Sequence, residues 1–256
     1  WASAPLQATI DPAQIPGGTG SVLKLALEPG SSTLKVGAPA ARGADYPLAG
    51  GRFFTQTNGR KDSAAGFAVT NDDGVPFWSA FQTLGGVDVL GYPVTRRFEL
   101  DGFTVQAFQK SVLQWRADQK TFDFLNTFDV LHDRGRDGWL ATYRQTPPPG
   151  DNAADAKLAW PAVVERHIAM LDAAPAPLKQ RFLSDSNWLD HYGLPESVQD
   201  FSNSVVVRAQ RATLQYWKET VPWAAKGSVS IANGGDLAKE AGLFPWLAVT
   251  PENAPR

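Results

Sequence analysis

The stretch FQKSVLQW at residues 108–115 returns about a hundred residues later as AQRATLQYW at residues 209–217. Gln109, Leu113 and Gln114 match Gln210, Leu214 and Gln215, while Lys110 is answered by Arg211 and Trp115 by Tyr216. The match extends in both directions. Upstream, a G-x-P-x-[ST] pattern begins at Gly91 and again at Gly193, 18 and 17 residues before the first glutamine of each copy. Downstream, Asn126, Asp129, Val130, Asp133 and Gly135 are echoed by Asn233, Asp236, Leu237, Glu240 and Gly242. Three blocks in one order, with one small and one six-residue length change, imply an internal duplication. A period of about a hundred residues is too long for a solenoid, so two related lobes packed side by side are expected.

The unit reads as an α+β fold: a Gly-Pro turn, short antiparallel strands and short helices. Phe77, Trp78, Phe81 and Leu84 fall at helical spacing, with Gly85 as the stop. FELDGFTVQAF predicts a hairpin around Asp101-Gly102, and SVLQW adds a strand. Asn126 and Asn233 stand where caps of two short helices are expected, closed by Gly135 and Gly242. WPAVVERHIAMLDA sets Trp160, Val164, Ile168 and Leu171 on one helical stripe. The expected layout is an N-terminal arm, hairpin or linker at 1–48 and a first lobe at 49–146. A Pro-rich connection at 147–156, a second, divergent lobe at 157–250 and a tail at 251–256 complete it. Within the arm, SVLKLALEPGSSTLKVG predicts a hairpin.

Composition narrows the function classes. Of 256 residues, 43% are hydrophobic and 20% charged, an ordinary globular balance. A formal charge of −2 gives no reason to expect nucleic acid. No run approaches the roughly 18–20 continuous apolar residues of a membrane helix, so the chain is not expected to span a bilayer. The absence of Cys rules out disulfides and thiolate chemistry. The chain opens at Trp1 rather than Met, which fits a processed start or part of a longer product.

The order FWSAFQTLGGVDVLGYPVT…DGFTVQAFQKSVLQW resembles the LGFP-type repeat of bacterial exported and envelope proteins. Leu90, Gly91, Pro93, Asp101, Gly102, Phe108 and Trp115 stand at corresponding places, with Ser111 where the repeat has Gly. The span from GGRFFTQT to NGGDLAKEAG also looks like a group of uncharacterised exported bacterial proteins. The resemblance implies an extracellular or cell-surface module that binds an envelope polymer, and it implies no reaction.

The chemistry-bearing residues point the same way. The chain has three His, and none sits in a metal or triad spacing; no G-x-S-x-G, H-E-x-x-H or P-loop occurs. No cofactor, metal or catalytic residue is assigned. The carboxylates of TNDDGVP at 70–76 read as a solvated turn rather than a calcium loop. The expected function is non-catalytic binding of a surface polymer, a glycan foremost, or of a partner protein. An envelope-glycan hydrolase or its accessory module, and a self-assembling subunit of a surface layer or filament, are the alternatives. The candidate ligand residues are Gln109, Lys110, Gln114 and Trp115 in one lobe and Gln210, Arg211, Gln215 and Tyr216 in the other. Their aromatic faces and hydrogen-bonding groups suit a polyhydroxylated ligand. Buried amides tying each hairpin to the preceding turn are the competing role for the glutamines.

Overall fold

Each run of short alternating strands closes into its own four-stranded antiparallel meander, three in all among the residues described by the computed structural model, 45–55 and 65–253. The hairpin expected at 21–37 lies outside the described residues. The first sheet comprises β1 (Tyr46–Leu48), β2 (Gly51–Phe54), β3 (Phe67–Asp72) and β4 (Val75–Pro76). The expected arm therefore ends in a paired strand. β4 runs directly into α1 (Phe77–Thr83), followed by α2 (Gly86–Leu90). TNDDGVP forms the β3–β4 turn, whose Asp72 carbonyl and Asp73 carboxylate accept hydrogen bonds from Arg97 at 2.7 and 2.9 Å.

The second sheet comprises β5 (Phe98–Leu100), β6 (Phe103–Ala107), β7 (Val112–Arg116) and β8 (Thr121–Phe124). Asp101 and Gly102, both at positive φ, make the expected two-residue turn. α3 (Thr127–Asp133) and α4 (Asp137–Arg144) follow, then α5 (Trp160–Met170), α6 (Ala176–Leu183) and α7 (Trp188–His191). The third sheet comprises β9 (Pro195–Asp200), β10 (Ser204–Ala209), β11 (Thr213–Trp217) and β12 (Val229–Ala232), and α8 (Gly234–Glu240) and α9 (Trp246–Val249) end the fold.

The β6–β7 and β10–β11 hairpins of the second and third sheets have corresponding registers. Gln106 faces Leu113 and Ala107 faces Val112 across β6–β7, as Val207 faces Leu214 and Arg208 faces Thr213 across β10–β11. Strand alternation then assigns each face of the second sheet to a different core. Val105, Ala107 and Val112 pack with Phe128, Leu131 and Leu237, whereas Leu113 joins Phe54, Phe77, Phe81 and Phe108 under the first sheet. Val207, Ala209 and Leu214 of the third sheet pack with Leu171, Leu178 and Phe182.

The two halves of the chain interlock where they meet. Each sends its helix onto the hairpin of the other: the Phe128 N–H donates to Gln210 O at 2.9 Å, and the Asp236 N–H donates to Gln109 O at 3.1 Å. At the second of these contacts the backbone approach leaves no room for a side chain at position 235. A Cβ on Gly235 would lie 1.7 Å from Phe108 O. The apolar core around Val105 is accordingly built from both units, since Leu237, Ala238 and Leu243 come from the far end of the chain.

Two local expectations change. Of the expected stripe, Leu171 is fully buried and Ile168 packs on the same core, but α5 also buries Val163 and His167, and Trp160 is 58% exposed. His167 finds polar partners inside, Asp155 at 2.7 Å through Nε2 and Pro195 O through Nδ1. The Pro-rich connection is not a free linker. It runs along β9, where the Gly150 N–H donates to Glu196 O and Ser197 Oγ donates to Pro148 O.

Candidate ligand clefts between the two units

Gly91 and Gly193 start the site. Both have positive φ (80° and 73°), and a Cβ there would stand 2.8 and 2.7 Å from the Cβ of Gln109 and Gln210. The glutamine side chain fills the space left by the missing Cβ. Gln109 Oε1 accepts from the Tyr92 N–H at 3.1 Å, and Gln210 Oε1 accepts from the Leu194 N–H at 3.0 Å. Gln210 Nε2 also donates to Asp129 at 3.1 Å. These two amides brace each hairpin against the turn that precedes it.

The next residue of each copy holds the helix end. Lys110 Nζ donates to Asp88 O at 2.6 Å, and Arg211 Nη1 donates to Leu189 O and Asp190 O at 3.0 and 2.8 Å. A cation there complements the carbonyl end of α2 or α7. Arg211 Nε also donates to Asn126 Oδ1 at 2.8 Å. Asn126 and Asn233 thus do not cap their helices through their side chains as expected; Asn233 instead donates to Asp236 at 3.0 Å.

These contacts leave two clefts at the junction of the units. The first, about 500 Å³, is lined by Gln114, Phe122, Phe124, Asn126, Asp123, Asp190 and Arg211, among others. The second, about 420 Å³, is lined by Lys110, Asp88, Val229, Ile231, Asn233, Ser111, Arg181 and His191, and it also reaches Phe124. They are built alike. Phe122, Phe124, Asn126, Asp190 and Arg211 of the first occupy the repeat positions of Val229, Ile231, Asn233, Asp88 and Lys110 in the second. Each cleft therefore combines the last strand of one unit with the hairpin turn of the other.

Of the eight residues singled out in the sequence, Lys110, Gln114 and Arg211 reach the clefts. Gln109 and Gln210 serve the turns, and Gln215 Nε2 donates to Arg144 O at 3.3 Å. Trp115 packs on Phe122 with ring centroids 4.9 Å apart, and Tyr216 packs against the core of the third sheet. Asp88 and Asp190 are not among the eight, although DVLGYP and DHYGLP share D-x-x-G-x-P, with the Asp three residues upstream of each matched glycine. Arg181, Asp185 and His191 lie outside the matched blocks. The histidines pair with acids other than their chain neighbours: His191 Nδ1 with Asp185 at 2.8 Å and His132 Nδ1 with Asp137 at 2.5 Å. Burial works against the Asp185 carboxylate, yet His191 and the Asn187 N–H hold its pKa below the usual value.

Behind the clefts, where the second unit has Arg208 in place of Ala107, lies a buried charge cluster. The fully buried guanidinium donates to Glu196 at 3.1 Å, Asp137 at 2.7 Å, Pro147 O at 3.1 Å and Phe128 O at 2.7 Å. Burial, and then the adjacent Asp129, push the Glu196 carboxyl up to about 8. Burial raises Asp129 as well. Asp129 Oδ1 is buried without a hydrogen-bond partner, and Glu196, the acid with the raised pKa, is its neighbour. Burial would raise Asp137 too, but Arg208 and His132 outweigh it and hold that carboxyl low. Arg208, Glu196 and Asp129 line neither cleft. The cluster fixes α3 and the Pro-rich connection to the third sheet.

Among the described residues no group of three or more His, Asp or Glu is placed to hold a metal ion, and no helix is long and apolar enough to cross a membrane. The chain matches no protein-family model and no curated protein sequence.

Proposed function

We propose that this protein is a non-catalytic, exported or cell-surface binding protein whose ligand is a surface polymer, a glycan, lying across the two clefts. The observation that carries the reading is the pair of neighbouring clefts built from equivalent positions and sharing Phe124. A polymer presents the same chemical unit repeatedly, and a duplicated fold meets it with repeated subsites. Aromatic and aliphatic floors beside Gln114, Asn126 and Asn233 suit the apolar face and hydroxyls of a sugar ring. The resemblance of residues 78–115 to LGFP-type repeats of envelope proteins supports the same reading, as does the internal duplication we infer from the matching blocks.

An array of microbial surface polysaccharides, probed with the protein and with Phe124→Ala, tests it. Binding that falls at least tenfold in a Phe124→Ala variant with an unchanged unfolding transition is the expected result. A folded protein that binds no polysaccharide on the array sinks the reading.

One observation favours the hydrolase alternative. Asp123 and Asp190 bring two carboxylates to the first cleft from different units, both close enough to act on Arg211, and glycoside hydrolysis uses such a pair. Release of reducing sugar from wall glycan, abolished in Asp190→Asn, would replace simple binding with catalysis.

A further inference from the structure

We propose that the second cleft takes the acidic unit of the polymer, a sugar carrying a carboxylate. The proposal rests on the polymer-binding reading for the identity of the ligand, but its geometry stands apart.

The two clefts share a plan and differ in charge. In the first, the cation is Arg211, and its guanidinium already donates to Asn126, Leu189 O and Asp190 O, while Asp123 and Asp190 add negative charge. A second anion would be repelled there. In the second, two exposed cations reach the rim from different elements, Lys110 from the β6–β7 hairpin and Arg181 from α6. Lys110 bonds to the Asp88 carbonyl at 2.6 Å, which leaves its other N–H donors directed elsewhere. The Arg181 side chain makes one long contact, 3.4 Å to Tyr192 Oη, so most of its planar donor fork is open to a ligand.

The acids of this cleft are largely matched. Asp185 accepts from His191 at 2.8 Å and from the Asn187 N–H at 2.9 Å. Asp88 is exposed at the edge and is the one opposing carboxylate without such partners among the lining residues. His191 uses Nδ1 on Asp185, so Nε2 is left without a protein partner.

Ser111 supplies an independent sign of a ligand. Its side chain is 7% exposed, its Oγ is buried without a hydrogen-bond partner, and it lines this cleft. A buried hydroxyl left unpaired is unfavourable by about 1–3 kcal/mol, and a bound carboxylate or hydroxyl would satisfy it. At the same repeat position the β10–β11 hairpin has Ala212, which lines this same cleft and brings no polar group that could pair with Ser111. Val229, Ile231 and Phe124 form an apolar floor for the ring to which the carboxylate is attached.

Free glucuronate, with glucose as the neutral control and inorganic phosphate as a second anion, tests this on the isotopically labelled protein by amide chemical shifts. The expected result is movement of Ser111, His191 and Lys110 with glucuronate and not with glucose, and about tenfold weaker binding in Arg181→Gln, the loss of one charge-assisted pair. Arg181 is exposed, so this variant keeps the fold. Equal shifts with glucose, no shifts with glucuronate, an unchanged Arg181→Gln titration, or tighter binding of phosphate at the same residues would each overturn the proposal. Polysaccharide binding on the array with no glucuronate response leaves the polymer reading standing and removes the acidic unit. A glucuronate response with an empty array does the reverse.

Discussion

Glu196→Gln tests whether the raised Glu196 carboxyl keeps its proton in the fold. The carboxyl has an ordinary value of 4.5 and is pushed up to about 8 in the fold by burial and by Asp129. Between those values the folded chain holds a proton that the unfolded chain releases, so stability from this group is complete below about pH 4.5 and falls as pH rises through 8. A tenfold difference in proton affinity between folded and unfolded chains corresponds to about 1.4 kcal/mol, which makes the loss between pH 6 and pH 9 about 2–3 kcal/mol. Gln keeps the neutral form at every pH: its Oε1 can accept from Arg208 Nε and its Nε2 can donate to Asp129. Urea unfolding of both proteins at pH 6 and pH 9 measures the effect, and the difference between the two proteins cancels the titrating groups that do not interact with Glu196. The parent should lose about 2–3 kcal/mol more than the variant. Parallel losses would refute a proton on Glu196.

Three other substitutions probe the interlock and the turns. Gly235→Ala sets a methyl group against Phe108 O and should destabilise by more than about 3 kcal/mol, read as a collapse of the thermal transition. Gln109→Ala and Gln210→Ala strip the acceptors from the Tyr92 and Leu194 N–H groups and should each lower stability by about 1–3 kcal/mol, while polymer affinity per folded molecule stays unchanged. The larger loss is expected for Gln210, which also donates to Asp129. Arg208→Met removes a buried cation from Glu196, Asp137 and two carbonyls and should destabilise by about 3–5 kcal/mol in urea unfolding at pH 7.

Local structure was legible wherever a residue type has one dominant use. Asp101-Gly102, the Gly91 and Gly193 turns and the helices ended by Gly85, Gly135 and Gly242 stand where spacing places them. The arrangement of the units was not. Only three-dimensional contact shows why Gly234 and Gly235 replace the Thr127 and Phe128 of the first copy: they let α8 reach the hairpin at Phe108. Arg208 reads as one charge at the end of the apolar run VVV, and nothing in that run announces Glu196, Asp129 and Asp137, which arrive from distant segments. The repeated block drew attention to Gln109 and Gln210 because repetition marks what the fold needs. Ser111, Arg181 and His191, which line the second cleft, differ between the copies, so repetition does not mark them.

The account stands on two clefts acting on one chain of sugars, and a length series measures that directly. Uronate-containing oligosaccharides, from the monosaccharide to chains that cover both clefts, are titrated by calorimetry into the protein and into Phe124→Ala. A step of at least tenfold in affinity when the chain first spans both clefts, absent in Phe124→Ala, is the predicted result. Affinity that does not change with chain length, or a step that survives loss of Phe124, would contradict it.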